Sequence, residues 1–159
     1  MERGEHAHSF SVRNAEQGDI PLLAWLNRAL IEDEGSRNSM TLDALAERMA
    51  EFLKDGWQAD LFCRDHEVLG YALYQIDKDG YEDAPFVYIR QFFIKRKYRR
   101  QGYGLQAVEY LIKYAFPPGA VLSLDVLHIN SAGRTFWEKA GFSPYYINLK
   151  RWPRKQEES

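Results

Sequence analysis

The fold of this chain is decided by one short stretch, Arg99-Arg100-Gln101-Gly102-Tyr103-Gly104. It follows residues 86–94, which are rich in aromatic and β-branched side chains and are therefore typical of a buried strand. After it, apolar residues recur at helical spacing, which predicts that the glycines open a helix. These apolar residues are Leu105, Val108, Leu111, Ile112 and Ala115. A helix N-terminus carries unpaired N–H groups and partial positive charge, so the turn is a candidate phosphate site.

Length and composition indicate one domain of ordinary globular character. The chain has 159 residues, of which 45% are hydrophobic and 28% are charged. This length and this hydrophobic fraction are sufficient to form a buried core. Its formal net charge of −2 gives no reason to expect a nucleic-acid or membrane partner. The basic cluster at residues 95–100 coincides with the glycine turn and is explained by one small polyanion.

The single cysteine, Cys63, excludes an internal disulfide and fits a cytoplasmic protein. No apolar run reaches the roughly 18 residues that span a bilayer, and the N-terminus lacks a signal-peptide core. The four histidines show no metal-ligand spacing, so we expect no metal site.

The order of strand and helix patterns predicts an α+β domain covering residues 1–159, with its core at about 10–150. Two amphipathic helices follow Asp19 and Thr41, both typical helix caps. A third helix opens at the glycine turn, and a fourth covers about residues 131–140. Turns are predicted at residues 65–67 and 77–80. The predicted strands cover residues 10–13, 57–64, 68–76, 86–94, 120–127 and 145–150.

Two other phosphate-binding motifs are excluded by residue identity. The dinucleotide fingerprint requires a third glycine where this chain has Ala107. The nucleotide triphosphatase loop requires a Gly-Lys-Ser/Thr ending, which the sequence does not contain.

A second pattern follows about 30 residues after the glycine turn. Asn130 is followed by the run Phe136-Trp137-Glu138-Lys139-Ala140-Gly141-Phe142. The two patterns, in this order and with a strand between them, resemble the GNAT superfamily of N-acetyltransferases, whose acetyl-CoA motif is Gln/Arg-x-x-Gly-x-Gly/Ala. The resemblance covers roughly residues 10–150. It implies a mixed, mostly antiparallel twisted sheet flanked by helices, with a splay between the fourth and fifth strands.

The resemblance also implies an acetyl-CoA-dependent N-acetyltransferase, in which an amine attacks the thioester directly. The pyrophosphate of CoA would lie on the backbone of the glycine turn, and the pantetheine arm would lie in the splay. Asn130 is equally suited to capping the fourth helix. The residues implied for cofactor binding are Phe92, Phe93, Ile94, Arg99, Arg100, Gln101, Gly102, Tyr103, Gly104, Asn130 and Trp137.

The acid and the base of the reaction are not assigned by the resemblance. Many members of the superfamily carry a tyrosine acid at the position of Trp137, and an indole N–H is far too weak an acid for that role, so this side chain serves packing or stacking. Tyr145 and Tyr146 are the substitute candidates for the acid. The candidates for the base are the loop carboxylates Glu82, Asp83, Asp33 and Glu34.

The acceptor is expected to be a small-molecule or peptide amine. Glu34, in an acidic connector, and Arg90, where some branches carry a glutamate, are the candidate acceptor-binding residues. We expect Arg90 to be buried and to pair with a carboxylate such as Asp125. The absent tyrosine leaves open an alternative function, a non-catalytic acyl-CoA-binding or sensor module. A homodimer is also left open.

Overall fold

A five-stranded sheet forms the centre of the computed structural model, which describes residues 10–155. The strands lie in the order β1-β2-β3-β4-β5, and the first four pair antiparallel, whereas β5 is parallel to β4. This mixed, mostly antiparallel sheet confirms the predicted fold class. The strands are β1 (Phe10–Asn14), β2 (Gln58–Arg64), β3 (Glu67–Tyr81), β4 (Ala84–Ile94) and β5 (Val121–Leu124).

Within the described residues, four α-helices flank this sheet. They are α1 (Ile20–Glu34), α2 (Leu42–Lys54), α3 (Tyr103–Tyr110), which continues as a π-helical segment (Leu111–Ala115), and α4 (Ser131–Lys139). The hydroxyl of Thr41 caps α2 by accepting from the Ala44 N–H at 3.1 Å, as its sequence position predicts. No helix in residues 10–155 is both long and apolar enough to cross a membrane.

Alternating side chains of the central strands build two apolar layers. Leu61, Tyr71 and Leu73 pack with α1 and α2 on one face of the sheet. Phe62 and Ala72 pack with α3 on the opposite face. Because successive strand residues point to opposite faces, β2 and β3 are buried on both sides.

Strand β4 pairs with β5 along its first half only. The register runs from Phe86 opposite Val121 to Ile89 opposite Leu124. On its other edge β4 stays paired with β3 as far as Ile94, with a bulge at Arg90. The main chain of residues 90–94 therefore has no strand neighbour on the β5 side, and this opening is the predicted splay.

The β3–β4 hairpin turns at Glu82 and Asp83, so the turn predicted at residues 77–80 is wrong. Both turn residues have left-handed backbone angles, φ +51° and +63°, which suit a two-residue hairpin. The Asp77 carboxylate accepts from the N–H groups of Asp79 and Gly80, and the register shifts between Asp77 and Tyr81. The Asp-Gly pair thus bends the strand and does not reverse it.

The strand predicted at residues 145–150 is also wrong, and β5 is shorter than predicted. No strand follows α4 in the described chain, and the side chains of Tyr145 and Leu149 are 85% and 89% exposed. Alternating apolar residues form a strand only where a neighbouring edge supplies hydrogen bonds. Because β5 has only four residues, its edge is too short to pair with all six residues of the predicted strand.

Candidate functional site

The glycine turn ends in an open helix N-terminus. Arg100 and Gly102 have left-handed φ angles of +59° and +82°, and α3 starts at the next residue. The first intrahelical bond runs from the Gln106 N–H to the Gly102 carbonyl at 3.1 Å. The N–H groups of residues 103–105 lie in the first turn and therefore have no intrahelical partner, and Gly102 has no side chain to cap them. This end suits a phosphate.

Gly104 serves protein packing. A Cβ atom at this position would lie 2.8 Å from Cε2 of Phe136, a residue of α4. At Gly102 a Cβ would meet nothing within 4 Å. The two glycines of the motif therefore have different roles, since Gly102 adopts the left-handed turn and Gly104 lets α4 approach α3.

Arg99 fastens the glycine turn to the end of α1. Its two terminal nitrogens donate to both carboxylate oxygens of Asp33 at 2.9 and 2.7 Å, and its Nε donates to the Ile94 carbonyl at 3.0 Å. Burial alone would raise the pKa of Asp33, but the hydrogen bonds and charges of Arg99 and Arg96 outweigh it and lower that pKa. A carboxylate held in this way is a weak base.

An aromatic cluster lies between the open end of β4 and α4. The Trp137 ring centroid is 5.0 Å from that of Phe92, 4.9 Å from that of Phe136 and 5.1 Å from that of Phe142. These edge-to-face contacts show that the indole of Trp137 packs against its aromatic neighbours, as the sequence predicts.

Asn130 caps α4. Its side-chain carbonyl accepts from the Gly133 N–H at 3.0 Å, and a Cβ on Gly133 would lie 2.4 Å from the Asn130 amide nitrogen. Of the two roles left open by the sequence, the structure therefore contains the cap.

A buried polar cluster lies on the α1 and α2 side of the β4 bulge. The fully buried Tyr71 donates its hydroxyl to Oε1 of Gln91 at 2.7 Å, and Nε2 of Gln91 donates to Oδ1 of Asn27 at 3.4 Å. A terminal nitrogen of Arg48 donates to the same Asn27 oxygen at 3.1 Å. Sequence reasoning missed Asn27, Arg48 and Tyr71, although an asparagine between apolar positions of α1 was a usable signal.

Glu34 lies half-buried at the end of α1, beside this cluster. Burial, and next the charge of Asp33, raises its pKa above the ordinary value. Its own charge in turn contributes to the raised pKa of the Tyr71 hydroxyl. No group among the described residues donates a hydrogen bond to the Glu34 carboxylate, so this carboxylate is free to take up a proton.

The family model of the acetyltransferase (GNAT) family matches residues 22–142. The chain belongs to the GNAT acetyltransferase family. The match covers most of the chain, confirms the resemblance drawn from the two sequence patterns, and confirms that the protein is an acetyltransferase enzyme.

Solved structures of other acetyltransferases share this GNAT fold. A possible acetyltransferase from Clostridium difficile 630 has a TM-score of 0.70 and 18% identity, covering 91% of this chain and 97% of its own. The aminoglycoside N-acetyltransferase AAC(6')-Iy in complex with CoA has a TM-score of 0.74 and 17% identity, covering 94% and 98%. A predicted acetyltransferase with acetyl-CoA from Clostridium acetobutylicum has values of 0.68 and 15%, covering 89% and 96%. No curated protein sequence matches the chain.

The expected ion pair between Arg90 and Asp125 is absent from this GNAT chain. Arg90 is exposed, with its guanidinium carbon 4.9 Å from the ring centroid of Phe52 and 5.7 Å from that of Trp57. Cation–π contacts with these two rings thus take the place of the expected ion pair. Asp125 instead accepts from the hydroxyls of Tyr88 at 2.6 Å and Tyr146 at 3.3 Å.

Burial and the Asp125 carboxylate raise the pKa of Tyr88 to about 12, so this phenol stays protonated near neutral pH. Of the two tyrosines predicted as substitute acids, Tyr146 is the one bonded to Asp125, and Tyr145 is mostly exposed.

The remaining predicted residues divide between the site and its surroundings. Arg100 and Gln101 lie exposed at the rim of the glycine turn, where the Gln101 amide donates to the Lys97 carbonyl at 3.2 Å. Glu82 lies in the β3–β4 hairpin, nine strand residues from Gln91, which corresponds to about 30 Å. The structure therefore does not bring Glu82 to the site.

Proposed function

We propose that this acetyltransferase moves an acetyl group from acetyl-CoA to a primary amine. The observation that carries the proposal is the continuity of two features, the open N-terminus of α3 and the unpaired edge of β4. Together they provide an anion anchor joined to a slot with main-chain hydrogen-bonding groups.

The described residues fit CoA at this place. The N–H groups of residues 100–105 would hold the pyrophosphate, with the side chains of Arg100 and Gln101 at the rim. The main chain of residues 92–94 would pair with the pantetheine arm, and Asn130 and Trp137 would line the opposite wall. Acetyl-CoA supplies an activated acetyl group, a thioester open to attack by an amine.

Glu34 is the base in this proposal. It is half-buried, its pKa is raised, and no described donor occupies its carboxylate. Asp33, its neighbour, is held by two arginines and has a lowered pKa. Because a useful general base has a pKa close to the working pH, the raised pKa favours Glu34 over Asp33.

The acceptor nitrogen forms a bond to the acetyl carbon, the carbon–sulfur bond breaks, and Glu34 removes a proton from the nitrogen. The leaving sulfur is an ordinary thiolate, with a pKa of about 8.5, and it departs without a dedicated acid. This step explains why Trp137 is tolerated at the position of the usual tyrosine. The proton finally resides on the CoA thiol, and the other product is the N-acetyl amine.

Release of free thiol from acetyl-CoA across a panel of amines tests the proposal. With the best acceptor, Glu34→Gln is expected to lower kcat by about 10²-fold or more, since the base is lost. In the wild type, kcat should fall as the pH drops through the pKa of Glu34, because the protonated carboxyl cannot accept a proton. That acidic limb should vanish in the variant.

Glu32→Gln is the matched control, because it removes a negative charge from the same helix turn and should leave kcat and its pH profile unchanged. An unaltered acidic limb in Glu34→Gln would show that another group is the base. Binding of acetyl-CoA without thiol release for any amine would favour the alternative function, an acyl-CoA sensor, and would overturn the enzymatic proposal.

A further inference from the structure

Two arginines on the α1 and α2 side of the β4 bulge share one aromatic ring. The guanidinium carbon of Arg90 lies 4.9 Å from the ring centroid of Phe52, and that of Arg48 lies 5.7 Å from the same centroid. Arg90 comes from the β4 bulge and Arg48 from α2, so two separate elements bring these cations together. The aromatic ring limits their motion by cation–π contact.

Neither guanidinium has an acidic partner among residues 10–155. Arg48 gives one terminal nitrogen to Asn27, while its Nε is buried without an acceptor. Burial and the nearby charge of Arg90 lower the pKa of Arg48. The ion pairs that the structure does contain lie elsewhere, for example between Arg99 and Asp33.

Two neighbouring cations with free donors are unfavourable by themselves, because like charges repel and a buried donor without an acceptor costs free energy. A carboxylate between them would relieve both costs. The planar fork of a guanidinium matches the two oxygens of a carboxylate, which makes this the preferred partner of arginine.

A negative charge, that of Glu34, lies near the same cluster. The charges of Glu34 and Arg48 both act on the Tyr71 hydroxyl, from the end of α1 and from α2 respectively. An acceptor that carries an amine and a carboxylate would place the amine toward Glu34 and the carboxylate toward the two arginines. A polycationic acceptor would instead be repelled by Arg48 and Arg90.

We propose that the acceptor is an amine bearing a carboxylate, of the amino acid class, and that Arg48 and Arg90 bind this carboxylate. The assignment rests on the proposed function, since it names the substrate class of the same site. Both arginines are acceptor-binding residues and take no part in the proton transfer.

The test compares each L-amino acid with its own amide, which keeps the amine and the side chain but removes the carboxylate. Wild-type enzyme should show at least about tenfold higher kcat/KM for the preferred amino acid than for its amide. Arg90→Gln should raise KM for the amino acid by about 10- to 100-fold and leave KM for the amide unchanged. Arg90→Lys should recover part of the loss.

Arg28→Gln is the matched control, because it removes an exposed positive charge from α1 that already pairs with Glu32, and it should change neither KM. Acetyl-CoA affinity, measured by calorimetry, should be the same in all variants. These two measurements separate an acceptor defect from general damage to the protein.

Three results would overturn the inference. One is turnover of amides or polyamines at least as good as that of amino acids. A second is an amino acid preference that survives in Arg90→Gln. A third is a preference for phosphoethanolamine over every amino acid, which would assign the arginines to a phosphate. Thiol release with any of these amines upholds the acetyltransferase, whereas release with none of them would remove both proposals.

Discussion

Gly104 is a residue of a ligand-binding motif that is also required for packing within the protein. From the sequence, both motif glycines are explained by close approach of a ligand. The structure gives a second reason for Gly104, since Phe136 of α4 fills the space of its missing side chain. The two sequence patterns, about 30 residues apart, therefore meet through a direct packing contact.

Gly104→Ala should lower the free energy of unfolding by about 1–3 kcal/mol, because the new methyl group overlaps the Phe136 ring and forces α3 and α4 apart. Urea denaturation measures the change. Gly18→Ala is the matched control, since a Cβ there meets nothing within 4 Å, and it should alter stability little. Combining Gly104→Ala with Phe136→Leu should recover part of the loss. If Gly104→Ala were as stable as the control Gly18→Ala, the packing role would be contradicted.

Arg90 shows what residue-level reasoning from the sequence could not reach. Its charge and its place within the fourth strand suggested a buried ion pair. In the structure its guanidinium contacts the rings of Phe52 and Trp57, which lie more than 30 residues earlier in the chain, and no local pattern predicts such a long-range contact. The position was identified correctly as part of the fourth strand, but the partners were not.

At the scale of elements, the cap of α2 was predictable, whereas the hairpin turn and the first helix cap were not. The cap predicted at Asp19 is wrong, because its carboxylate accepts from Arg13 and from the Glu16 N–H and not from the first turn of α1. Thr41 has a short polar side chain directly before an apolar helical repeat, and it forms the expected cap. Residues 77–80 contain an Asp-Gly pair, the common signal for a hairpin turn, yet the chain reverses at Glu82 and Asp83. Pairing of β3 with β4 continues past the glycine, and this long-range pairing decides the turn position.

The start of α4 allows the capping role of Asn130 to be separated from contact with CoA. Asn130→Ala should cost about 1 kcal/mol of stability because the Gly133 N–H loses its acceptor. Asn130→Ser should keep the stability, since serine is also a good cap, but should weaken acetyl-CoA binding severalfold because the amide is lost. Chemical denaturation and calorimetry measure the two effects. Wild-type affinity in Asn130→Ser would show that the residue is a cap alone.

At the scale of the whole molecule, the site is assembled from elements far apart in the chain. Arg99 and Asp33 join the glycine turn to the end of α1, and Asn27 joins α1 to the β4 cluster. The turn and the open helix end that form the proposed cofactor half follow from a contiguous motif, so this local structure was predictable. The proposed acceptor half depends on contacts between α1, α2, β3 and β4, and no local pattern encodes them.

The central claim is that the glycine turn holds acetyl-CoA, and calorimetric titration of the wild type, Gly102→Val and Gly119→Val tests it most directly. Gly102 and Gly119 have similar left-handed φ angles, +82° and +74°, and both have open space around a new Cβ, so both variants strain the backbone alike. Only Gly102→Val places a side chain in the phosphate turn. We predict micromolar binding by the wild type and by Gly119→Val, and at least about tenfold weaker binding by Gly102→Val. Equal affinity in all three proteins, or no binding by the wild type at millimolar acetyl-CoA, would contradict the claim.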